Sequence, residues 1–266
     1  MGYKRLKIPI IDDAGNPAWP EMFPIEKIHE LETIVGPRLF SAQMMLEYVP
    51  EERIHLDPGA INFYCDDFDR NLARIGSHNI SGVCFYWDPS SGHVNSDGSV
   101  CALVYRDDTA RTVFVHDVLY MTASDDDLYP LSGQCETVLD FMQKNHLNRI
   151  AIETNGIGNA LPEIIRNISL QKHFPINIVQ ISNHVKKETR ILNAIEPILT
   201  TGRLYMHEKI KQTILLSEML AWTPSGSVEH DDGLDAVAGA LTVNPMPIRS
   251  LNYKKQTIRA NTEFAV

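Results

Sequence analysis

His230-Asp231-Asp232-Gly233-Leu234-Asp235-Ala236-Val237-Ala238-Gly239-Ala240-Leu241 opens with three carboxylates in five positions and then runs apolar, with small residues at helical spacing. An Asp at the start of a helix caps free backbone N–H groups and meets the positive end of the helix dipole. Asp232 and Asp235 are three apart, so they share one face of the first turn. Val237, Ala238, Ala240 and Leu241 would press that helix onto something flat, such as a sheet. Two carboxylates aimed the same way repel each other unless a cation lies between them. Taken alone, the stretch reads first as an acidic helix start facing solvent, and as a divalent metal site second. What stands upstream reverses that order.

From Gly82 the sequence has the grammar of a sheet. Gly82-Val83-Cys84-Phe85-Tyr86-Trp87-Asp88 is a continuous apolar run ending in an acid, as in a strand buried on both faces. Val100–Tyr105 and Thr112–Met121 are further β-rich runs joined by a polar turn, and with the first they make an antiparallel meander. Asn95–Ser99 is a turn, which assigns Asp97 to turn chemistry. A helix is predicted over 131–145. Arg149-Ile150-Ala151-Ile152-Glu153 is a short strand again finishing in an acid, followed by a Gly-rich turn and a helix over 160–168. The spacing then predicts a strand over 176–181, a helix over 186–195 halted by Pro197, a minor strand near Leu204 and one long helix over 208–221. The fold class is α/β: a mixed sheet of three antiparallel strands, then parallel strands, flanked by helices.

In such a sheet functional groups gather at the carboxyl ends of adjacent strands. If the strands ending in Asp88 and Glu153 are neighbours, those acids meet, and the last helix brings Asp232 and Asp235 to the same place. Four converging carboxylates with no cationic residue beside them in sequence call for metal. Hard oxygen ligands favour Mg²⁺ or Mn²⁺ over zinc. Two such ions about 3.5–4 Å apart serve in-line phosphodiester hydrolysis.

The totals set bounds. The chain has 266 residues and is 44% hydrophobic, enough for one good core plus an appendage. A mean hydropathy of -0.17 and the lack of a long apolar run argue against a membrane span or a secretory leader. Cys65, Cys84, Cys101 and Cys135 form no C-x-x-C pair, which suits a reducing cytosol; Cys84 and Cys101 read as inert core thiols. Twenty-four Lys and Arg against 34 Asp and Glu leave a net charge of -10, so any hold on nucleic acid rests on a local patch or on metal. Residues 1–60 read as a separate segment, with an expected helix over 25–35 stopped by Gly36-Pro37 and another over 39–46; it is too small to bury its own surface. Residues 61–245 form the main domain and 246–266 a mobile basic tail.

The ordered set of motifs resembles the ribonuclease H-like, RuvC-type superfamily, and within it the nuclease domain of phage terminase large subunits. His230-Asp231-Asp232-x-x-Asp235-Ala236 is similar to the H-D-D-x-x-D-A signature of terminases. Ile152-Glu153-Thr154-Asn155-Gly156-x-Gly158 resembles their second acidic motif and Tyr86-Trp87-Asp88-Pro89 their first. Lys186–Pro197 followed by Gly202-Arg203 looks like their K-x-x-x-R-I…P…G-R stretch. Residues 15–43 resemble the end of the terminase ATPase domain and its linker, so the likeness spans nearly all of 10–245. No G-x-x-x-x-G-K-[ST] phosphate loop occurs, so no motor resides here. Gly233 stands where the family usually has a bulky apolar residue. That costs up to ~1 kcal/mol in helix propensity and is expected to loosen the acidic turn.

The resemblance implies a divalent-metal-dependent endonuclease that cuts concatemeric double-stranded DNA during virus or prophage packaging in the host cytoplasm. Its implied partners are the terminase ATPase domain, the small terminase subunit and the portal protein. It implies that Asp88 bridges both ions, Glu153 holds one, and Asp232 with Asp235 the other. Asp231 is either a further ligand or an N-cap acid. Lys186 and Arg190, one turn apart, read either as a clamp on DNA phosphate or as a solvated face. His230 touches the scissile phosphate or, preferably, precedes the cap. The rival readings are a RuvC-like junction resolvase and a non-catalytic scaffold for DNA or portal.

Overall fold

The computed structural model describes residues 6–47, 56–90, 98–121, 130–224, 231–244 and 246–248. In chain order come α1 (Ile25–Val35), α2 (Pro37–Gln43), β1 (Asn62–Tyr64), the small hairpin β2 (Arg74–Ile75) and β3 (His78–Asn79), then the meander β4 (Gly82–Asp88), β5 (Ser99–Asp107) and β6 (Thr112–Met121). The alternating part follows: α3 (Pro130–Lys144), β7 (Arg149–Glu153), α4 (Leu161–Gln171), β8 (Asn177–Ile181), α5 (Lys187–Thr200), β9 (Leu204–His207), α6 (Leu215–Ala221), α7 (Asp232–Thr242) and β10 (Met246–Pro247).

The main sheet runs β1-β9-β6-β5-β4-β7-β8, with β10 against the start of β4. The meander is antiparallel, while β4 with β7, β7 with β8, β6 with β9 and β9 with β1 are parallel. This is the mixed sheet of antiparallel and then parallel strands expected from the sequence. Because side chains alternate across a strand, β4 divides its residues between two cores. Val83, Phe85 and Trp87 pack with Val138, Leu139 and Met142 of α3 and Leu161 and Ile165 of α4. Cys84 and Tyr86 pack with Ile191 and Ile195 of α5 and with Leu234, Val237 and Ala238 of α7. Cys84, Cys101 and Cys135 are all buried thiols.

Four local expectations are corrected. Pro197 does not halt α5, which runs on to Thr200. A proline inside a helix removes one N–H and costs ~3 kcal/mol or more, yet here its ring lies in a packed seam. A Cβ on Gly36 would stand 2.9 Å from Pro197 Cα. The long helix expected over 208–221 is broken: Glu208–Gln212 is a 3-10 turn and Thr213 is extended (φ -100°, ψ 171°) before α6. The Thr213 hydroxyl donates to Ile210 O at 2.8 Å and accepts from Leu215 N at 3.3 Å, drawing the backbone out of the helix. The strand near Leu204 is not minor, since β9 lies between β6 and β1 inside the sheet. Residues 246–248 are not tail either: β10 pairs with Gly82 and Val83, and Ile248 N donates to Ser81 O at 2.9 Å. The rest of the proposed tail lies outside the described residues.

The N-terminal segment leans on the main domain. Arg38 Nε lies 3.5 Å from Glu196 Oε2 on α5, Arg111 Nη2 pairs with Glu30 at 2.7 Å, and Arg203 Nη2 donates to Thr33 O at 2.6 Å.

Candidate active site

Tyr86 of β4 stands level with Ala151 of β7, so two residues further on Asp88 and Glu153 come level at the carboxyl ends of neighbouring strands. Both share the parity of the side chains that face α5 and α7. The expectation that these two acids meet is thereby met. On that face α7 lies close to the sheet because Gly239 has no side chain: a Cβ there would stand 2.3 Å from Tyr86 Cε1. The Tyr86 ring so placed carries its hydroxyl to Glu153, donating to Oε2 at 2.6 Å. Asn183 Nδ2 donates to the same oxygen at 2.8 Å, and Asn155 Nδ2 donates to Oε1 at 3.0 Å. Glu153 is thus fixed by three donors, of which Tyr86 and Asn155 lie in motifs singled out from sequence and Asn183 does not.

The first turn of α7 delivers Asp232 and Asp235, both buried. Gly98 N, at the entry to β5, donates to Asp232 Oδ2 at 2.6 Å. Asp231 is the N-cap residue, but its side chain makes no capping bond. Its carboxylate instead takes Lys187 Nζ at 2.6 Å. His230, and Asp97 in the turn before β5, lie outside the described residues.

No cation stands beside the acids in sequence, but the fold brings two to them. Both come from α5, distant in sequence. Lys187 Nζ reaches Asp231 Oδ1 at 2.6 Å, Asp232 Oδ1 at 3.0 Å and Asp235 Oδ2 at 4.0 Å. Arg190 forks onto Asp235, with Nε 2.7 Å from Oδ1 and Nη2 bonded to Oδ2, and its Nη2 lies 3.6 Å from Glu153 Oε2. Arg190 is buried, so it serves as an internal counter-charge and not as a clamp open to DNA phosphate. Lys186 is exposed in the extended N-cap position of α5 (φ -56°, ψ 138°), one residue before the lysine that faces the acids.

Charge accounting shows what this arrangement lacks. Asp88, Glu153, Asp231, Asp232 and Asp235 stand against Lys187 and Arg190, a surplus of three negative charges when all are ionised. The surplus falls hardest on Asp88, which has no ion pair among the described residues. Burial, then the fields of Asp235 and Glu153, push its carboxyl up to about 8. Burial also raises Asp235, while the Arg190 fork pulls it back down. Burial opposes the charge on Lys187, but its bonds to Asp231 and Asp232 outweigh that and hold the ammonium above its ordinary value. Among the described residues no three ligand side chains stand at metal-binding spacing; Lys187 and Arg190 lie between four of the five acids. The donor set, all carboxylate with excess negative charge, fits a hard divalent cation.

Gly233 does not loosen the acidic turn, contrary to expectation. The space its side chain would fill holds the Tyr120 hydroxyl and the Glu218 carboxylate. Glu218, buried on α6, accepts from Leu234 N at 3.1 Å and from the Tyr120 hydroxyl at 3.2 Å. It caps α7 from a neighbouring helix. Sequence reasoning missed Glu218, Tyr86, Asn183 and Lys187; none carries a local signal of its role.

Residues 88–204 match a family model described as the ribonuclease H-like domain of the bacteriophage T7 terminase. Three solved structures show how far the likeness extends. The manganese-soaked human cytomegalovirus terminase nuclease domain is 15% identical with a TM-score of 0.46, covering 63% of this chain and 85% of that one. The bacteriophage P22 large terminase nuclease domain is 11% identical with a TM-score of 0.44, covering 72% and 86%. T. thermophilus RuvC in complex with a Holliday junction substrate is 12% identical with a TM-score of 0.35, covering 60% and 90%. No curated protein matches the sequence. The family match is narrower than the motif likeness over 10–245: it starts at Asp88, takes in Glu153, Lys187 and Arg190, and stops before α7. Over residues 88–204 the chain is therefore similar to the ribonuclease H-like domain of a terminase.

Proposed function

We propose that this chain is the divalent-metal-dependent endonuclease of a viral or prophage DNA-packaging terminase and cuts concatemeric double-stranded DNA in the host cytoplasm. The observation that carries the proposal is the surplus of carboxylate over cation at the ends of β4 and β7 and the start of α7. Asp88, Glu153, Asp232 and Asp235, with Asp231 beside them, would hold two ions of the Mg²⁺ or Mn²⁺ class. Bound there, such ions would supply the activation of an attacking water and the stabilisation of a leaving 3′ oxygen.

The chain's own residues do the rest. Tyr86, Asn155 and Asn183 fix both oxygens of Glu153. Arg190 stays buried and holds Asp235 in place. Lys187, about a third exposed, lies at the mouth of the cluster; on leaving Asp231 and Asp232 it is free to meet a phosphate. Lys186 is exposed beside it and, with His230, is proposed to touch the DNA backbone. The ATPase domain, the small terminase subunit and the portal are the proposed partners, and would supply the DNA affinity that a charge of -10 withholds.

One observation favours a second reading. Lys187 and Arg190 already neutralise part of the cluster, as they would in a non-catalytic scaffold for DNA or portal. Plasmid cleavage with Mn²⁺ or Mg²⁺ decides. Linear or degraded product that vanishes in EDTA, in Asp88→Asn and in Asp232→Asn establishes the nuclease. Absent cleavage, together with no metal-induced rise in melting temperature, establishes the scaffold.

A further inference from the structure

A second concavity lies at the other end of β4. Val83 lines it, five residues before Asp88, or ~17 Å away at ~3.3 Å per residue. The cavity has a volume of about 450 Å³, within the range of small-molecule sites. None of the five acids of the candidate active site borders it.

Its lining combines three kinds of chemistry. Phe68 stacks on Tyr105 with centroids 4.6 Å apart and ring planes 23° from parallel. Tyr105 is buried and Phe68 half-buried, so Phe68 is the ring that the stack offers to a ligand. At depth, His116 Nδ1 lies 2.9 Å from the Tyr64 hydroxyl, while its Nε2 has the Asp67 carboxylate at 4.0 Å, beyond hydrogen-bond reach. Burial keeps this imidazole neutral, so it suits a polar ring edge better than a charge. At the rim, the exposed Arg70 and Lys144 stand, among the described residues, against a single acid, Asp67. That local positive excess runs against a chain charge of -10.

A flat aromatic platform, a neutral imidazole below it and cations at the edge match a base with a phosphate attached. Bases stack on aromatic side chains without demanding a sequence, and arginine and lysine hold phosphate oxygens. We propose that this cavity binds a nucleotide unit, its base on Phe68 and its phosphate at Arg70 and Lys144. The site goes beyond the proposed nuclease function and does not depend on the acid cluster. The unit can come as a free mononucleotide or as an unpaired nucleotide of a DNA strand.

The test is calorimetric titration of the full chain in EDTA with deoxyadenosine 5′-monophosphate, with deoxyadenosine, and with a short single-stranded oligonucleotide. Saturable binding of the monophosphate is expected, weakened about tenfold or more when the phosphate is removed and again in Arg70→Ala/Lys144→Ala. Both residues are exposed, and circular dichroism checks that the double variant is folded. Binding of the oligonucleotide alone, with the same loss in the double variant, makes a DNA strand the source. Failure of both phosphorylated ligands to bind overturns the proposal. So does binding that the double variant leaves unchanged.

Discussion

A Cβ on Gly233 would lie 1.9 Å from the hydroxyl oxygen of Tyr120. On propensity alone, Gly→Ala in a helix's first turn stabilises by up to ~1 kcal/mol. The contact reverses the sign. Gly233→Ala drives Tyr120 off Glu218 and is expected to destabilise by about 1–3 kcal/mol, the usual range for overpacking. Denaturant unfolding of the variant measures it, and an increase in stability would disprove the contact.

Glu218 holds the start of α7 through Leu234 N and Tyr120. Glu218→Ala leaves buried donors without a partner, with an expected loss of about 1–3 kcal/mol. Because the same turn carries Asp232 and Asp235, the variant is expected to show a smaller Mn²⁺-induced rise in melting temperature than the native chain. An equal rise would mean that the cap supports the fold without placing the acids.

Lys187 competes with any divalent ion for Asp231 and Asp232. Lys187→Met is expected to lower the melting temperature in EDTA and to bind Mn²⁺ severalfold more tightly in a thermal-shift titration. Weaker Mn²⁺ binding would show that the lysine shapes the cluster without competing for it.

His116 gives a pH signature away from the acids. Burial, then the nearby Lys209 and His207, push its pKa from 6.5 down to about 3. Asp67, Tyr64 and Tyr105 also face the ring. A depressed histidine pKa means that the unfolded chain takes up the proton first, so the contribution to stability is full above pH 6.5 and is lost as pH falls from there toward 3. The native chain is therefore expected to lose melting temperature between pH 7 and 5 faster than His116→Gln. Parallel curves would refute the assignment.

The acids were legible in the sequence because each closes an apolar strand or opens an apolar helix, positions that the backbone period dictates. Their counter-charges were not. Lys186 and Arg190 are a turn apart by spacing, but the helix starts one residue later and turns Lys187 inward. Local spacing sets the relation of residues along a helix; only the sheet and α7 decide which face meets them. Pro197 and Gly233 misled for the same reason. Each carries a local cost, and in each case the neighbour that offsets it, Gly36 or Tyr120 with Glu218, lies elsewhere in the chain.

α5 is a rod of 14 residues, about 21 Å long at 1.5 Å per residue. Its first turn carries Lys187 and Arg190 into the acids, while its far end is gripped by the N-terminal segment through the Gly36–Pro197 seam and the Arg38–Glu196 pair. The counter-ions of the cluster are thus mounted on a lever whose handle belongs to α1 and α2. The acids themselves hang from β4, β7 and α7, so the two charges of the site are carried on different elements. One helix thus joins the N-terminal segment to the positive half of the site.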